Sequence, residues 1–162
     1  MNSSAEMIDA IVKTTNLTKQ YEGGIKALTD VNIAVRQGDI FGLIGPNGAG
    51  KSTMIKILTG LLTPSSGSAT AVGFDVEREA RKVKEVTGYL PENPGYYENL
   101  TARQNLEYFA EFYGMNRDER KEKANALLQM LGMERWENEK VGRFSKGMRQ
   151  RLGVAVSVVN DP

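Results

Sequence analysis

The chain has 162 residues, with 21 Lys and Arg against 20 Asp and Glu, and neither cysteine nor histidine. A net charge of +1 gives no long-range pull toward nucleic acid or an acidic membrane surface. The missing residue types exclude disulfides, thiolate chemistry, histidine acid–base catalysis and histidine metal ligands. No window approaches the roughly 18 apolar residues of a membrane span. The first residues carry Glu6 and Asp9 and no long apolar stretch, so the sequence predicts a cytosolic protein without a secretory signal.

In chain order, residues 1–10 read as a frayed start, and residues 11–21 and 31–35 as strands. The second alternates Val31, Ile33 and Val35. Glu22-Gly23-Gly24 and Gln37-Gly38-Asp39 are turn signals. The apolar run 40–44 predicts a strand that feeds into Gly45-Pro46-Asn47-Gly48-Ala49-Gly50-Lys51-Ser52-Thr53. That run matches G-x-x-x-x-G-K-[ST], a loop whose glycines let backbone N–H groups turn inward around phosphate oxygens. Residues 54–58 continue as a helix, whose first turn adds unpaired N–H groups and the positive end of its dipole. In this arrangement Asn47, Gly48, Ala49, Gly50, Lys51, Ser52 and Thr53 surround the β- and γ-phosphates. Lys51 acts as a point charge and the Ser52 hydroxyl ligates Mg²⁺. Residues 63–68 read as a turn, 69–74 as a short strand, and 77–85 as a charged helix or turn. Residues 86–90 read as a strand that ends before Pro91.

From about Pro91 the pattern becomes helical. Leu106, Phe109, Ala110 and Tyr113 recur at helical spacing in residues 101–113, and Thr101 with Gln104 makes a capping box. Residues 117–131 repeat the pattern with Ala124, Leu127, Leu128 and Leu131, and Gly114 and Gly132 stop the two helices. The stripes Leu106/Phe109/Tyr113 and Leu127/Leu128/Leu131 predict core. A last helix is expected over 145–159. There is no internal repeat and no low-complexity segment. The partition read from these patterns is 1–90, a β-rich part with the phosphate loop; 91–144, a helical part; and 145–162, the last helix.

Phe144-Ser145-Lys146-Gly147-Met148 opens that helix. A serine cap followed by a glycine is either an ordinary capped helix or a second position suited to a phosphate. Residues 140–151 hold five basic residues and no acidic one, which reads as a solvated basic face. The absence of interleaved aromatics argues against a nucleic-acid partner.

Taken in this order, the motifs resemble the nucleotide-binding domain of ATP-binding cassette (ABC) transporters over residues 11–162. Gly45 to Thr53 matches that family's Walker A motif. Phe144-Ser145-Lys146-Gly147-Met148 stands where the family carries its LSGGQ signature, and Gly88-Tyr89-Leu90-Pro91-Glu92 in the region of its Q-loop. Tyr21 stands where the family places an aromatic that stacks on adenine; an edge-strand aromatic is the other reading of that residue. The wording of residues 91–101 looks most like the ATPases of ABC-2 type exporters. The resemblance implies an α/β fold: a P-loop NTPase (RecA-like) core with an antiparallel β subdomain and a helical subdomain, incomplete at the C-terminus. It also implies ATP and Mg²⁺, and a second nucleotide-binding domain whose ATP is reached by Ser145 and Gly147. The implied membrane partner is a separate permease subunit that holds the protein at the cytoplasmic face of the membrane.

Three departures from the family pattern bear on mechanism. The signature has Phe144, Lys146 and Met148 where Leu, Gly and Gln are usual, and Lys146 either adds charge near the phosphate or faces solvent. Glu92 replaces the usual Gln; a carboxylate can bind Mg²⁺ but cannot donate a hydrogen bond as an amide can. The chain stops at Asp161-Pro162. The family's Walker B strand, D-loop and switch histidine would follow there, so the chain is expected to be the N-terminal portion of the domain.

The expected function is ATP binding and hydrolysis that drives transport, in the export direction, by the membrane subunit. Lys51 and Glu92 are the only candidate catalytic groups in the chain, which by itself is expected to be inactive or nearly so. The alternatives are a nucleotide-binding fragment without catalysis and a soluble ABC ATPase not involved in transport. Tyr96, Tyr97 and Leu100 are either contacts to the membrane subunit or packing on the helix that follows. Arg149 and Arg151 either orient the signature through acidic partners or are simply solvated.

Overall fold

A computed structural model describes residues 10–162. The expected frayed start at residues 1–9 lies outside the described residues, and residue 10 already belongs to a strand. The chain divides into two compact units, the first ending at Thr87 and the second being Gly88–Pro162.

The first unit is a five-stranded sheet with two helices. Its strands are β1 (Ala10–Gln20), β2 (Lys26–Val31), β3 (Ala34–Arg36), β4 (Ser66–Ala71) and β5 (Phe74–Asp75). Every pairing is antiparallel, in the order β2-β1-β4-β5, with β3 also on β1. β4 runs along one edge of β1, from Val12 opposite Ala71 to Thr18 opposite Ser66. The other edge is shared by β3, opposite residues 10–13, and β2, opposite residues 17–20.

The expected single strand over 31–35 is two strands with residues 32 and 33 between them. Asp30 and Asn16 take φ of 49° and 48°, left-handed backbone that short polar side chains tolerate. The Thr14 hydroxyl stitches the break: it donates to the Val31 carbonyl at 2.9 Å and accepts from the Ile33 N–H at 3.0 Å. Residues 69–74, expected as one strand, instead form part of a hairpin. Val72 and Gly73 have φ of 53° and 81°, a two-residue turn whose twist suits the paired strands, and β5 returns along β4.

Two expected strands are absent. Residues 40–44 have no ladder, and Ile40 and Ile44 are almost fully exposed. An extended segment becomes a strand only when a neighbour takes its N–H and C=O groups, and none does so among the described residues. Residues 86–90 also lack a ladder, and Val86 instead closes α2 (Ala80–Glu85) by donating its N–H to the Lys82 carbonyl.

α1 (Lys51–Leu58) buries Met54 and Ile57, one helical turn apart, against Leu17, Leu28, Ala69 and Ala71. Val76 and Val83 complete this core. At the turn before α2, the Asp75 carboxylate accepts the backbone N–H groups of Arg78 and Glu77, which hold it below the usual carboxylate range.

The second unit packs α3 (Ala102–Glu111), α4 (Arg117–Met130) and α5 (Lys146–Ser157) around Leu106, Leu128, Met133, Val141 and Leu152. Leu106 is wholly buried, and Leu-to-Ala changes at such sites cost about 2–5 kcal/mol. The Thr101–Gln104 capping box is present. A second one, Asn116 with Glu119, opens α4 and was not anticipated. Gly114 and Gly132 follow the two helices at φ of 77° and 62°, where they were expected to stop them. Leu127 and Leu128 are core, but Tyr113 is not: α3 ends at Glu111, and beyond it Tyr113 is 45% exposed.

Candidate functional site

The glycine-rich run of residues 45–50 leads directly into α1. Gly48 and Gly50 take φ of 81° and 85°. Gly50 also sits against β2, and a Cβ there would lie 2.3 Å from the Ala27 carbonyl oxygen and 2.8 Å from Leu28 Cδ2. Only glycine allows this approach. Gly50 is the N-cap residue of α1 and supplies no side-chain acceptor. The first-turn N–H groups are therefore uncapped at the positive end of the helix, an arrangement that receives anions.

The Lys51 ammonium folds back over the loop. It donates to the Gly45 carbonyl at 2.7 Å and the Pro46 carbonyl at 2.6 Å. An ammonium has three N–H donors, so one remains for a ligand. The Ala49 N–H is engaged within the loop, donating to Pro46 at 3.2 Å. Asn47, Gly48 and Ser52 are exposed, and Thr53 is half-buried.

Tyr21 belongs to this same neighbourhood. Its hydroxyl and the Thr53 Oγ1 lie 3.2 Å apart, and the Lys19 ammonium stands 5.5 Å from the centre of its ring. The ring is 40% exposed, beside the loop-following helix rather than buried in the sheet.

These groups suit a nucleoside phosphate with Mg²⁺. Uncapped N–H groups and a held ammonium match phosphate oxygens, and a hydroxyl is a hard oxygen donor of the kind Mg²⁺ prefers. Among the described residues no three acidic side chains cluster to hold a metal. Ser52 lies in the first unit and Glu92 in the second.

In the second unit Ser145 caps α5, its hydroxyl accepting the Met148 N–H at 3.3 Å. A Cβ on Gly147 would meet nothing within 4 Å, so that position is open to an approaching group. Lys146 is exposed. Glu92 is exposed at the wall of a pocket of about 570 Å³ that Phe144, Lys146 and Arg149 also line.

The two arginines differ. Arg149 pairs with Glu98 at 2.9 Å, whereas Arg151 is exposed. The Tyr96 hydroxyl donates to the Arg149 carbonyl at 2.6 Å. Burial pushes its phenol up to about 12, with the Arg149 charge acting the other way. Tyr97 stacks edge-on against Tyr108 with ring centres 4.7 Å apart, and is 46% exposed. The loop thus packs on α3 and α5 while leaving part of Tyr97 accessible.

Asn105 and Gly153 escaped the sequence reading. Asn105 is fully buried. Its amide oxygen accepts the Tyr97 N–H at 3.0 Å, and its NH₂ group donates to the Tyr97 and Thr101 carbonyls at 3.1 and 3.0 Å. Nothing in helical periodicity separates such a residue from a solvated one. A Cβ on Gly153 would stand 2.4 Å from the Tyr96 hydroxyl, so this glycine lets the loop cross α5.

Residues 28–162 match the family model described as ABC transporter. The chain is 41% identical over 139 residues to the ABC transporter ATP-binding protein NatA of Bacillus subtilis (strain 168), covering 85% of this chain and 56% of that protein. It is 40% identical over 155 residues to the bacitracin transport ATP-binding protein BcrA of Bacillus licheniformis, covering 96% and 49%. The chain spans about half the length of the curated relatives it matches. Among solved structures it resembles the dimeric, post-hydrolysis state of the ATP-binding cassette MJ0796 bound to ADP and Pi. The TM-score there is 0.82 at 31% identity, over 93% of this chain and 70% of that one. The fold is that of an ABC cassette, and from Leu28 to Pro162 the chain belongs to the ABC transporter family.

Proposed function

We propose that this chain forms the nucleotide-binding part of an ATPase that drives a separate membrane permease, in the export direction. One observation carries the reading. Gly50, pressed against the Ala27 carbonyl, opens an uncapped helix, and Lys51 is held across the loop beside it. A carbonyl-anchored ammonium and free N–H groups bind a polyphosphate by positioning and charge neutralisation. The names of BcrA, a bacitracin transport protein, and NatA support the transport role.

In this reading residues 47–53 hold the β- and γ-phosphates and Tyr21 stacks on adenine, a contact of about 1–3 kcal/mol. The Ser52 hydroxyl would hold Mg²⁺, which neutralises phosphate charge when bound, and Glu92 is the other candidate ligand. Ser145 and Gly147 reach the nucleotide of a second domain, and the dimeric state of MJ0796 supports such a pairing. The protein then works at the cytoplasmic face of the membrane, with Tyr97 and its loop toward the permease. Residues 1–90, 91–144 and 145–162 correspond to core, helical subdomain and signature helix.

Titration with a fluorescent ATP analogue tests this directly. Lys51→Ala is expected to weaken binding by at least about tenfold, the loss of one charge-assisted contact, while leaving the folded signal intact. Unchanged affinity in a folded Lys51→Ala protein overturns the reading. For Mg²⁺, Glu92→Ala in the intact protein should lower Mg²⁺-dependent turnover far more than metal-free nucleotide binding. Equal effects on both remove Glu92 from the metal site.

A further inference from the structure

We infer that Arg149 is a positioning residue that ties the loop of residues 96–100 to the segment leading into Ser145, making the two a single moving body. The inference rests on the reading above, in which Ser145 serves nucleotide and the loop faces the permease.

The geometry is specific. A guanidinium presents five N–H donors in one plane and no acceptor, so it can join several acceptors at fixed angles. Here Nε donates to the Phe144 carbonyl at 3.3 Å and Nη2 to the Gly142 carbonyl at 3.2 Å, both just before Ser145. Nη1 donates to Glu98 Oε1 at 2.9 Å, within the loop. The backbone of Arg149 is engaged as well. Its N–H donates to the Ser145 carbonyl at 2.9 Å and its carbonyl accepts the Tyr96 hydroxyl.

Further bonds run between the same two segments without the side chain. The Gly142 N–H donates to the Glu98 carbonyl at 3.0 Å and the Val141 N–H to the Leu100 carbonyl at 3.0 Å. A Cβ on Gly142 would lie 3.2 Å from that Glu98 carbonyl, so the segments meet backbone to backbone. On its far side the loop is held by buried Asn105. Three of the five guanidinium N–H groups are thus committed to protein acceptors in one plane. The Arg149–Glu98 pair is half open to water, with side chains 37% and 62% exposed, so charge pairing alone is weak there. What the residue supplies is the fork that holds two carbonyls and a carboxylate at once, which a lysine cannot reproduce.

The test compares Arg149→Ala, Arg149→Lys and Ser145→Ala in the intact ATPase. It is paired with amide hydrogen exchange on this chain. Arg149→Ala should speed exchange at Gly142 and Phe144 about tenfold, the effect of losing charge-assisted bonds, with α4 amides unchanged. In turnover it should lower kcat about tenfold while KM for ATP stays within about twofold, because the phosphate loop is untouched. Arg149→Lys should restore less than half of the lost kcat.

Full activity in Arg149→Ala with kcat lost in Ser145→Ala overturns the clamp alone. Full activity in both overturns the reading of Ser145 and the clamp with it. Faster exchange throughout the unit, or full rescue by lysine, also overturns it, since either makes Arg149 a general stabiliser or a simple charge.

Discussion

Two helices of this protein begin at small residues in loops, and the two beginnings are built differently. α1 starts at Gly50, which contributes no side-chain acceptor and sits in left-handed backbone against Ala27. α5 starts at Ser145, whose hydroxyl takes the Met148 N–H, with Gly147 facing open space. The first beginning leaves its N–H donors without a side-chain cap and holds an ammonium beside them. The second satisfies one donor internally and is instead tied to its surroundings through Arg149. Two helix starts of similar composition thus differ in which of their donors are already occupied.

The sharpest way to break this contrast is to put a methyl group at each glycine. Gly50→Ala should cost roughly 2–5 kcal/mol through backbone strain and the clash with Ala27. Gly147→Ala should be neutral or stabilise by up to about 1 kcal/mol, alanine being the better helix former where nothing is in the way. Urea midpoints of the two variants measure this, and similar shifts would mean that β2 does not press on the α1 start.

Next comes the loop that faces α5. Asn105→Ala leaves the Tyr97 N–H without its acceptor and opens space in a fully buried position. A loss of about 2–4 kcal/mol is expected by thermal or urea unfolding. A shift below about 1 kcal/mol would place the strength of this loop elsewhere.

Ser145→Ala should cost about 1 kcal/mol, the usual value of a serine cap. A stability unchanged in urea would show that the hydroxyl is not used as a cap in solution.

The smallest effect is expected at Tyr96. Tyr96→Phe removes one hydrogen bond to Arg149, about 1 kcal/mol near neutral pH. Its pH dependence has a definite sign. The phenol titrates at 10.0 when unperturbed and at about 12 in the fold. Between those values the unfolded chain releases a proton that the folded chain keeps. The contribution is complete below pH 10 and is lost as pH rises toward 12. Stability measured across that range should fall more steeply in the native protein than in Tyr96→Phe, and parallel curves would contradict the buried phenol.

Local patterns settled the elements that make their own hydrogen bonds. The glycine turn that opens α1, the Thr101 capping box, the stops at Gly114 and Gly132 and the Ser145 cap were all legible from neighbouring residues. Each depends on interactions within a few positions of the chain. The membership of Leu106, Leu127 and Leu128 in a core was likewise legible from periodicity.

What tertiary structure alone decided was everything that needs a distant partner. Residues 40–44 had the composition of a strand but, among the described residues, no neighbour to pair with, and residues 31–35 were divided where β1 changes partner around Thr14. The worth of Asn105, the pairing of Arg149 with Glu98 51 positions away, and the need for glycine at 153 all come from segments that meet only on folding. A strand ladder or a buried polar contact is completed by another part of the chain, so its stability belongs to the pair, and one segment's composition does not contain it.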